Sequence, residues 1–302
     1  MANLVIAAAA DEAYAWPSVV ALLSAAARST AAVACLLLSD GIEAGTRREL
    51  ARAFAAQGVD CEIADVDLEP FSHFPTQVHL TRATYARLLV PSLAQELGPR
   101  TVYLDADTLT FGDLAELASF PLDGKPVGAC IGGSVGHWYG IQDWQERGYD
   151  PSAPIFNPGV MLIDNEQWLR EGVTPNVLAM LEQRPELAQF FADQSVLNSA
   201  VYGRWKVLPP RWNRTIHRGP SVRIGPLLLS RRERVNLSRL GILHYFERVK
   251  PWDRRYPPGP FLQIYRSAWK RFIDAPLPPA RTYIDWVRDR HALKSAGAEP
   301  IA

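Results

Sequence analysis

Thr101-Val102-Tyr103-Leu104-Asp105-Ala106-Asp107 decides how this chain is read. An apolar run of strand length delivers two carboxylates. Residues i and i+2 of an extended strand share one face, ~7 Å apart along the chain. If the chain curls at the strand's end, both carboxylates reach one divalent cation. Hard oxygen donors suit Mg²⁺, Ca²⁺ or Mn²⁺. Open α/β sheets place their ligands at the carboxyl ends of strands. The pattern alone is weak, because Asp65-Val66-Asp67 repeats it. That second pair follows the mixed polar Asp60-Cys61-Glu62 and leads into Glu69-Pro70, so it reads as a strand end running into a solvated loop.

Upstream, Leu4 to Ala9 reads as a buried first strand. Trp16-Pro17 opens a helix, with proline in its first turn. Ala34 to Leu38 is a strand, Thr46 to Gln57 a helix with Gly58 past its end, and Cys61 to Val66 a short strand. This β-α-β-α-β opening implies a mainly parallel sheet with right-handed crossovers. Thr84 to Gly98 reads as a helix interrupted at Pro91. Downstream come a short helix over Asp113 to Ser119 and a strand over Pro126 to Ile131. From Gly132 to Pro154 the chain is rich in Gly, Trp and Tyr without a period, as expected of a long functional loop. Gly159 to Asp164 is a strand, Asn165 to Arg170 starts a helix, Asp193 to Tyr202 is helical, and Trp205 to Leu208 and Ile242 to Phe246 are strands.

The composition is globular: 302 residues, 48% hydrophobic, with a formal net charge of zero. Zero net charge gives no overall pull toward nucleic acid. Cys35, Cys61 and Cys130 form no C-x-x-C pair and read as core residues of a reducing compartment. The start, Met1-Ala2-Asn3-Leu4, has no basic n-region, and no apolar run approaches 18 residues. A cytoplasmic location is the expectation. After Trp252 the character changes, and we divide the chain into a main domain over 1–252 and a Pro-rich tail over 253–302. Between Arg254 and Lys294 the tail carries nine Lys or Arg against three Asp, interleaved with Trp269, Phe272, Tyr283 and Trp286. Such a segment suits either contact with an anionic membrane surface or a C-terminal helix packed by its aromatics.

Further clusters occur in a fixed order. Asp11 and Tyr14 follow the first strand. Tyr85-Ala86-Arg87-Leu88 places a cation before the acidic strand. Phe156-Asn157-Pro158-Gly159-Val160 offers an amide. Asp193-Gln194-Ser195-Val196-Leu197-Asn198 opens a helix, and Trp212-Asn213 follows. His244 and Lys250-Pro251-Trp252 supply an imidazole and an ammonium six residues apart. Each alone has a bland explanation: Asp193 suits a helix N-cap, His244 a packed core histidine, Lys250 the surface.

Together the set resembles the family 8 glycosyltransferases, the group that includes bacterial lipooligosaccharide galactosyltransferases and glycogenin. The resemblance runs from about Leu4 to Trp252. It implies a GT-A fold: an α/β, nucleotide-binding, Rossmann-like, mainly parallel sheet flanked by helices, here with a helical basic tail. It implies a retaining hexosyltransferase that uses UDP-galactose or UDP-glucose, with Mn²⁺ (Mg²⁺ as the alternative), and a glycan or glycolipid acceptor of the kind met in lipopolysaccharide biosynthesis. On this resemblance Asp105, Asp107 and His244 are the metal ligands. Asp11 and Tyr14 hold the uridine, and Lys250 contacts the diphosphate. Arg87, Asn157, Asp193 and Gln194 surround the transferred sugar, the last two as the catalytic pair. The tail resembles the membrane-associating tail of bacterial members. Three positions depart from the pattern: Ala13 for a polar residue, Pro158 in Asn-x-Gly, and Glu247 where the family usually has glycine.

Two other readings remain open from sequence. Gly132-Gly133-Ser134-Val135-Gly136 spells a nucleophile elbow, with Asp193 and His244 later in the order of a serine hydrolase. Glu247 beside the diphosphate motif suits a degenerate transferase that binds nucleotide sugar without turnover.

Overall fold

The computed structural model describes residues 4–71, 74, 83–188, 193–216, 240–274 and 277. Its main sheet has seven strands in the order β3-β2-β1-β4-β7-β6-β8. These are β1 (Leu4–Asp11), β2 (Val33–Asp40), β3 (Cys61–Asp65), β4 (Arg100–Leu104), β6 (Val127–Ser134), β7 (Pro154–Asp164) and β8 (Trp205–Val207). A second sheet, β5-β10-β9, joins β5 (Thr108–Thr110), β10 (Ile242–His244) and β9 (Arg214–Thr215).

Leu4 to Ala10 of β1 are all buried. A strand covered on both faces is apolar throughout, and parallel pairing on each side is its usual setting. Here β1 pairs in parallel with β2 and with β4. The chain moves outward through β2 and β3, then returns to β4 on the other side of β1. This reversal makes the carboxyl ends of β1 and β4 the switch point where open α/β sheets bind ligands. The sheet is mainly parallel, as expected. The exception is β7, which runs against both β4 and β6.

Two apolar clusters cover the two faces. One joins Leu4, Ile6 and Ala8 of β1 to helix α1 (Ala15–Ala26) and to Leu50 and Phe54 of α2 (Ala44–Ala56). The other joins Val5, Ala7 and Ala9 to α3 (Ala83–Ala86), α4 (Val90–Ala94), α6 (Asn165–Arg170), α7 (Val173–Gln183) and α8 (Asp193–Ala200). The alternation along β1 is the two-residue period of a strand. A shorter helix, α5 (Leu114–Ala118), is capped by Asp113, which accepts from Ala115 N–H at 2.9 Å.

Several elements differ from the sequence reading. The break in the 84–98 helix lies at a 3₁₀ turn over Arg87–Leu89, and Pro91 sits in the first turn of α4. Proline suits that place, where its N–H is not needed. The expected strand over Gly159 to Asp164 begins earlier, at Pro154, and the strand over Ile242 to Phe246 ends at His244 and belongs to the small sheet. After Ser134 comes a turn-rich loop with no helix before α6, so the nucleophile elbow is not formed. Asp65 ends β3 largely exposed and ion-paired to Arg47, in keeping with a solvated second Asp-x-Asp.

Helix α9 (Pro260–Phe272) lies in the tail. Its Leu262, Tyr265, Trp269 and Phe272 recur at helical spacing and are buried in the α1-side cluster. Tyr265 packs edge-on to Tyr245 and beside Trp252. Tyr283, Trp286 and the basic residues from Arg281 onward lie outside the described residues. No helix among the described residues is long and apolar enough to cross a membrane.

The buried Tyr265 hydroxyl has no hydrogen-bond partner among the described residues. Trp269→Ala is expected to cost ~3–5 kcal/mol in a denaturant titration of the whole chain. Tyr265→Phe is expected to leave stability unchanged or raise it, since no bond is lost. A main transition that ignores Trp269→Ala would mean that α9 folds apart from the body.

Candidate active site

Asp105 leaves the end of β4 still tied to the sheet: its N–H donates to the Gly159 carbonyl at 2.8 Å. The chain then turns, with Thr108 N–H and Oγ1 both donating to the Asp105 carbonyl, at 3.2 and 2.8 Å. This turn brings the two carboxylates together. Directly after it, β5 pairs antiparallel with β10, setting His244 opposite Thr108. Tyr245 N–H donates to the Asp107 carbonyl at 2.8 Å. Register in the small sheet therefore carries a residue far along the chain onto the acidic turn.

Donor atoms of Asp105, Asp107 and His244 lie within 4.8 Å of one another. His244 Nε2 is 3.1 Å from Asp107 Oδ1 and 3.9 Å from Asp105 Oδ2. Oxygen and nitrogen donors held ~2–2.5 Å from one ion stand ~3–5 Å apart, so the spacing fits a single cation. Asp107 Oδ1 is buried and has no hydrogen-bond partner among the described residues. A buried carboxylate oxygen without a donor is costly unless something positive completes it. The residues present therefore fit a divalent metal.

Fixed cations already balance the carboxylates. Arg87, in its 3₁₀ turn, places Nη2 3.1 Å from Asp105 Oδ1 and stacks over Tyr103, whose hydroxyl donates to the same oxygen at 3.1 Å. Lys250 Nζ donates to Asp107 Oδ2 at 2.6 Å and to the Tyr245 and Phe246 carbonyls. Burial pushes the Asp107 carboxyl up, but the Lys250 ammonium and then His244 outweigh it and hold it below the usual carboxylate range.

Asn157 owes its place to an irregularity. Between the pairs Ala129–Met161 and Ile131–Phe156, residues 157–160 of β7 face Cys130 alone. Such a bulge re-aims side chains next to sites, and it accepts Pro158, which has no N–H for the ladder. Asn157 Nδ2 donates to Gln194 Oε1 at 3.5 Å. Asn198, one turn further along α8, clamps the strand by accepting from Phe156 N–H at 2.8 Å and donating to its carbonyl at 2.9 Å. Asn213 Nδ2 donates to Asn157 Oδ1 at 2.9 Å, and its Oδ1 meets His244 Nδ1 at 2.9 Å.

Asp11 ends β1 and caps the next turn, accepting from Tyr14 N–H at 3.1 Å. Tyr14 is half-buried and edge-on to Trp252. Burial, then the carboxylates of Asp107, Asp11 and Asp105, push its hydroxyl up to about 12. Tyr14 thus lies in the field of the acidic turn. Asp193 is the first residue of α8, with buried Gln194 next to it. Glu247 lines a small cleft with Ile216, Val249 and Tyr256.

Of the residues expected from sequence, Arg87, Asp105, Asp107, Asn157, Gln194, His244 and Lys250 fall in one bonded network. The sequence reading gave no role to Tyr103, Asn198 and Asn213. Tyr103 had a signal, since it stands two residues before Asp105 on the same strand face. The two amides had none beyond their place in quoted motifs.

Residues 5–255 match the model of the family described as Glycosyl transferase family 8. General stress protein A of Bacillus subtilis is 28% identical over 222 residues, covering 72% of this chain and 75% of the relative. A lipopolysaccharide 1,3-galactosyltransferase of Salmonella typhimurium is 25% identical over 210 residues, covering 67% of this chain and 58% of the relative. Among solved structures, the galactosyltransferase LgtC in complex with donor and acceptor sugar analogues superposes with a TM-score of 0.73 at 25% identity, covering 90% of this chain and 97% of that one.

Gly159 packs against the site so tightly that an added Cβ would fall 2.4 Å from His244 Cε1 and 2.7 Å from Asp105 Oδ2. If the site takes a divalent cation, Gly159→Ala should weaken its binding at least ~tenfold, read by calorimetric titration with Mn²⁺ as the probe, with the circular dichroism spectrum retained. Unchanged affinity would mean that no ligand bound through these two side chains is there to be disturbed.

Proposed function

The chain belongs to glycosyl transferase family 8, and from that premise we propose that it moves a hexose from a UDP-sugar to a glycan or glycolipid acceptor, with retention at the anomeric carbon and with help from Mn²⁺. The observation that carries this is the charge balance of the site. Asp105 and Asp107 are countered by Arg87 and Lys250, so an added divalent cation leaves this four-residue cluster, where a diphosphate would lie, with two positive charges in excess. Low-dielectric walls strengthen that excess, and a nucleoside diphosphate is the ligand whose charge answers it.

Asp105, Asp107 and His244 would hold the ion, and an imidazole among the ligands favours Mn²⁺ over Mg²⁺. The bound ion would supply Lewis-acid stabilisation of the leaving diphosphate. Lys250 exchanges its contact with Asp107 for a phosphate oxygen and meets the charge that grows there as the glycosidic bond breaks. Asp11 and Tyr14, at the end of β1, hold the uridine. Arg87, Asn157, Asp193 and Gln194 surround the sugar, whose ring gains oxocarbenium character that carboxylate and amide oxygens stabilise. None of these side chains is assigned as a covalent nucleophile.

The acceptor belongs along the carboxyl end of β6, past its pairing with β8, and the loop that follows. Gly132 lies against Asn157, the Tyr139 ring covers Gly133, and Ile131 and Trp138 are 57% and 65% exposed. An exposed indole with apolar neighbours beside a polar cleft suits a sugar face.

UDP release from UDP-galactose and UDP-glucose, with and without Mn²⁺, tests the proposal. We expect Mn²⁺-dependent release from one of the two. Asp105→Ala and Asp107→Ala should each lower it ~100-fold or more while the protein stays folded. Tight UDP binding with no release and no transfer to any glycan would instead favour the non-catalytic binder. Release that is unaffected by both substitutions would exclude the site.

A further inference from the structure

The amides behind His244 have a direction that the backbone sets. Gly159 N–H points at the side-chain carbonyl of Asn157, Oδ1, at 3.1 Å. A backbone N–H only donates, so that atom of Asn157 is oxygen and not nitrogen. Asn213 approaches the same oxygen at 2.9 Å and must present its NH₂ there. Its own oxygen then faces His244 Nδ1 at 2.9 Å, and an amide oxygen only accepts. Asn157, Asn213 and His244 are all at least nine-tenths buried, so water does not stand in for any partner. Beyond the ring, Nε2 faces Asp107 Oδ1 at 3.1 Å, an oxygen with no hydrogen-bond donor among the described residues.

We propose that Asn213 is a positioning residue: the relay from Gly159 N–H through Asn157 and Asn213 fixes the proton of His244 on Nδ1 and turns the lone pair of Nε2 onto the divalent-cation site. The proposal rests on the metal reading above and deepens it. A ring nitrogen ligates only through a lone pair, and the partner of the other nitrogen decides which one carries the proton. The carboxylate of Asp107 pulls the opposite way, because it would accept a proton-bearing Nε2. Asn213 is the group that opposes this pull from the far side of the ring. The inference also explains why Asn157 lies in a bulge: the bulge exposes Gly159 N–H to a side chain instead of to a neighbouring strand.

The test is the ¹⁵N–¹H correlation spectrum of the histidine side chains in the metal-free protein, at a pH where the rings are neutral. His244→Gln assigns the signals by their loss. In the wild-type chain we expect Nδ1 protonated and Nε2 unprotonated, and the reverse pattern would overturn the proposal. Asn213→Leu, which keeps similar volume without donor or acceptor, should move the proton to Nε2 and weaken Mn²⁺ binding ~10–100-fold. Asn213→Asp keeps an acceptor toward Nδ1 but sets a carboxylate oxygen against Asn157 Oδ1, so it should keep the wild-type tautomer and bind Mn²⁺ more tightly than Asn213→Leu without reaching the wild-type affinity. If both variants lose affinity alike while the tautomer stays put, the role is structural only and the proposal fails. Should Asn213→Leu not fold, the wild-type spectrum and Asn213→Asp still decide. A wild-type chain with the expected tautomer but no affinity for Mn²⁺ would sink the metal reading and leave the relay standing.

Discussion

Two carboxylates brought face to face at low solvent exposure are the constraint on which the rest of this structure depends. Like charges a few ångströms apart repel, and burying them costs several kcal/mol per ion unless counter-charges are fixed nearby. The chain supplies those counter-charges from distant segments. Arg87 comes from a turn before the sheet's fourth strand and Lys250 from the turn after the small sheet, while the end of β10 brings the His244 ring beside them. Each makes its contact only if the sheets are in the observed register. Site and fold therefore specify one another: the polar cluster rewards one topology, and that topology assembles the cluster.

The sheet arrangement explains why the cluster sits where it does. Reversal of strand order at β1 opens a crevice at the carboxyl ends of β1 and β4. Asp11 and Asp105 end those two strands, so a ligand that spans the crevice touches both. The antiparallel β7 then lays its bulge against the β4 end, where Asp105 N–H is bonded to Gly159. Without the antiparallel strand, Asn157 would not stand beside the acidic turn. Membership of the family accounts for this layout, and the residue contacts account for its chemistry.

Much of this was legible in the sequence for physical reasons. The first strand is apolar from Leu4 to Ala10 because both its faces are covered. Trp269 and Phe272 in the tail already suited a C-terminal helix packed by its aromatics, whereas the full face with Leu262 and Tyr265 emerged only with the helix itself. Asp105 and Asp107 stood out because a clean apolar strand delivers them. Other features were not legible, since they depend on register between segments far apart in the chain. His244 looks like any histidine on an apolar strand until the small sheet pairs it with Thr108. Pro158 and Gly159 inside a strand pattern were a usable sign of the bulge, whereas the sequence reading began the strand only at Gly159. Asn213 carries no local signal beyond its place in Trp212-Asn213, because its role exists only through two side chains that approach it from other elements.

Anomalous diffraction at the manganese edge, from crystals grown with Mn²⁺ and UDP, addresses the central claim most directly. The account predicts one peak ~2.0–2.4 Å from carboxylate oxygens of Asp105 and Asp107 and from His244 Nε2, with the diphosphate completing the coordination. A peak elsewhere, or ordered UDP with no metal between these side chains and its phosphates, would contradict it.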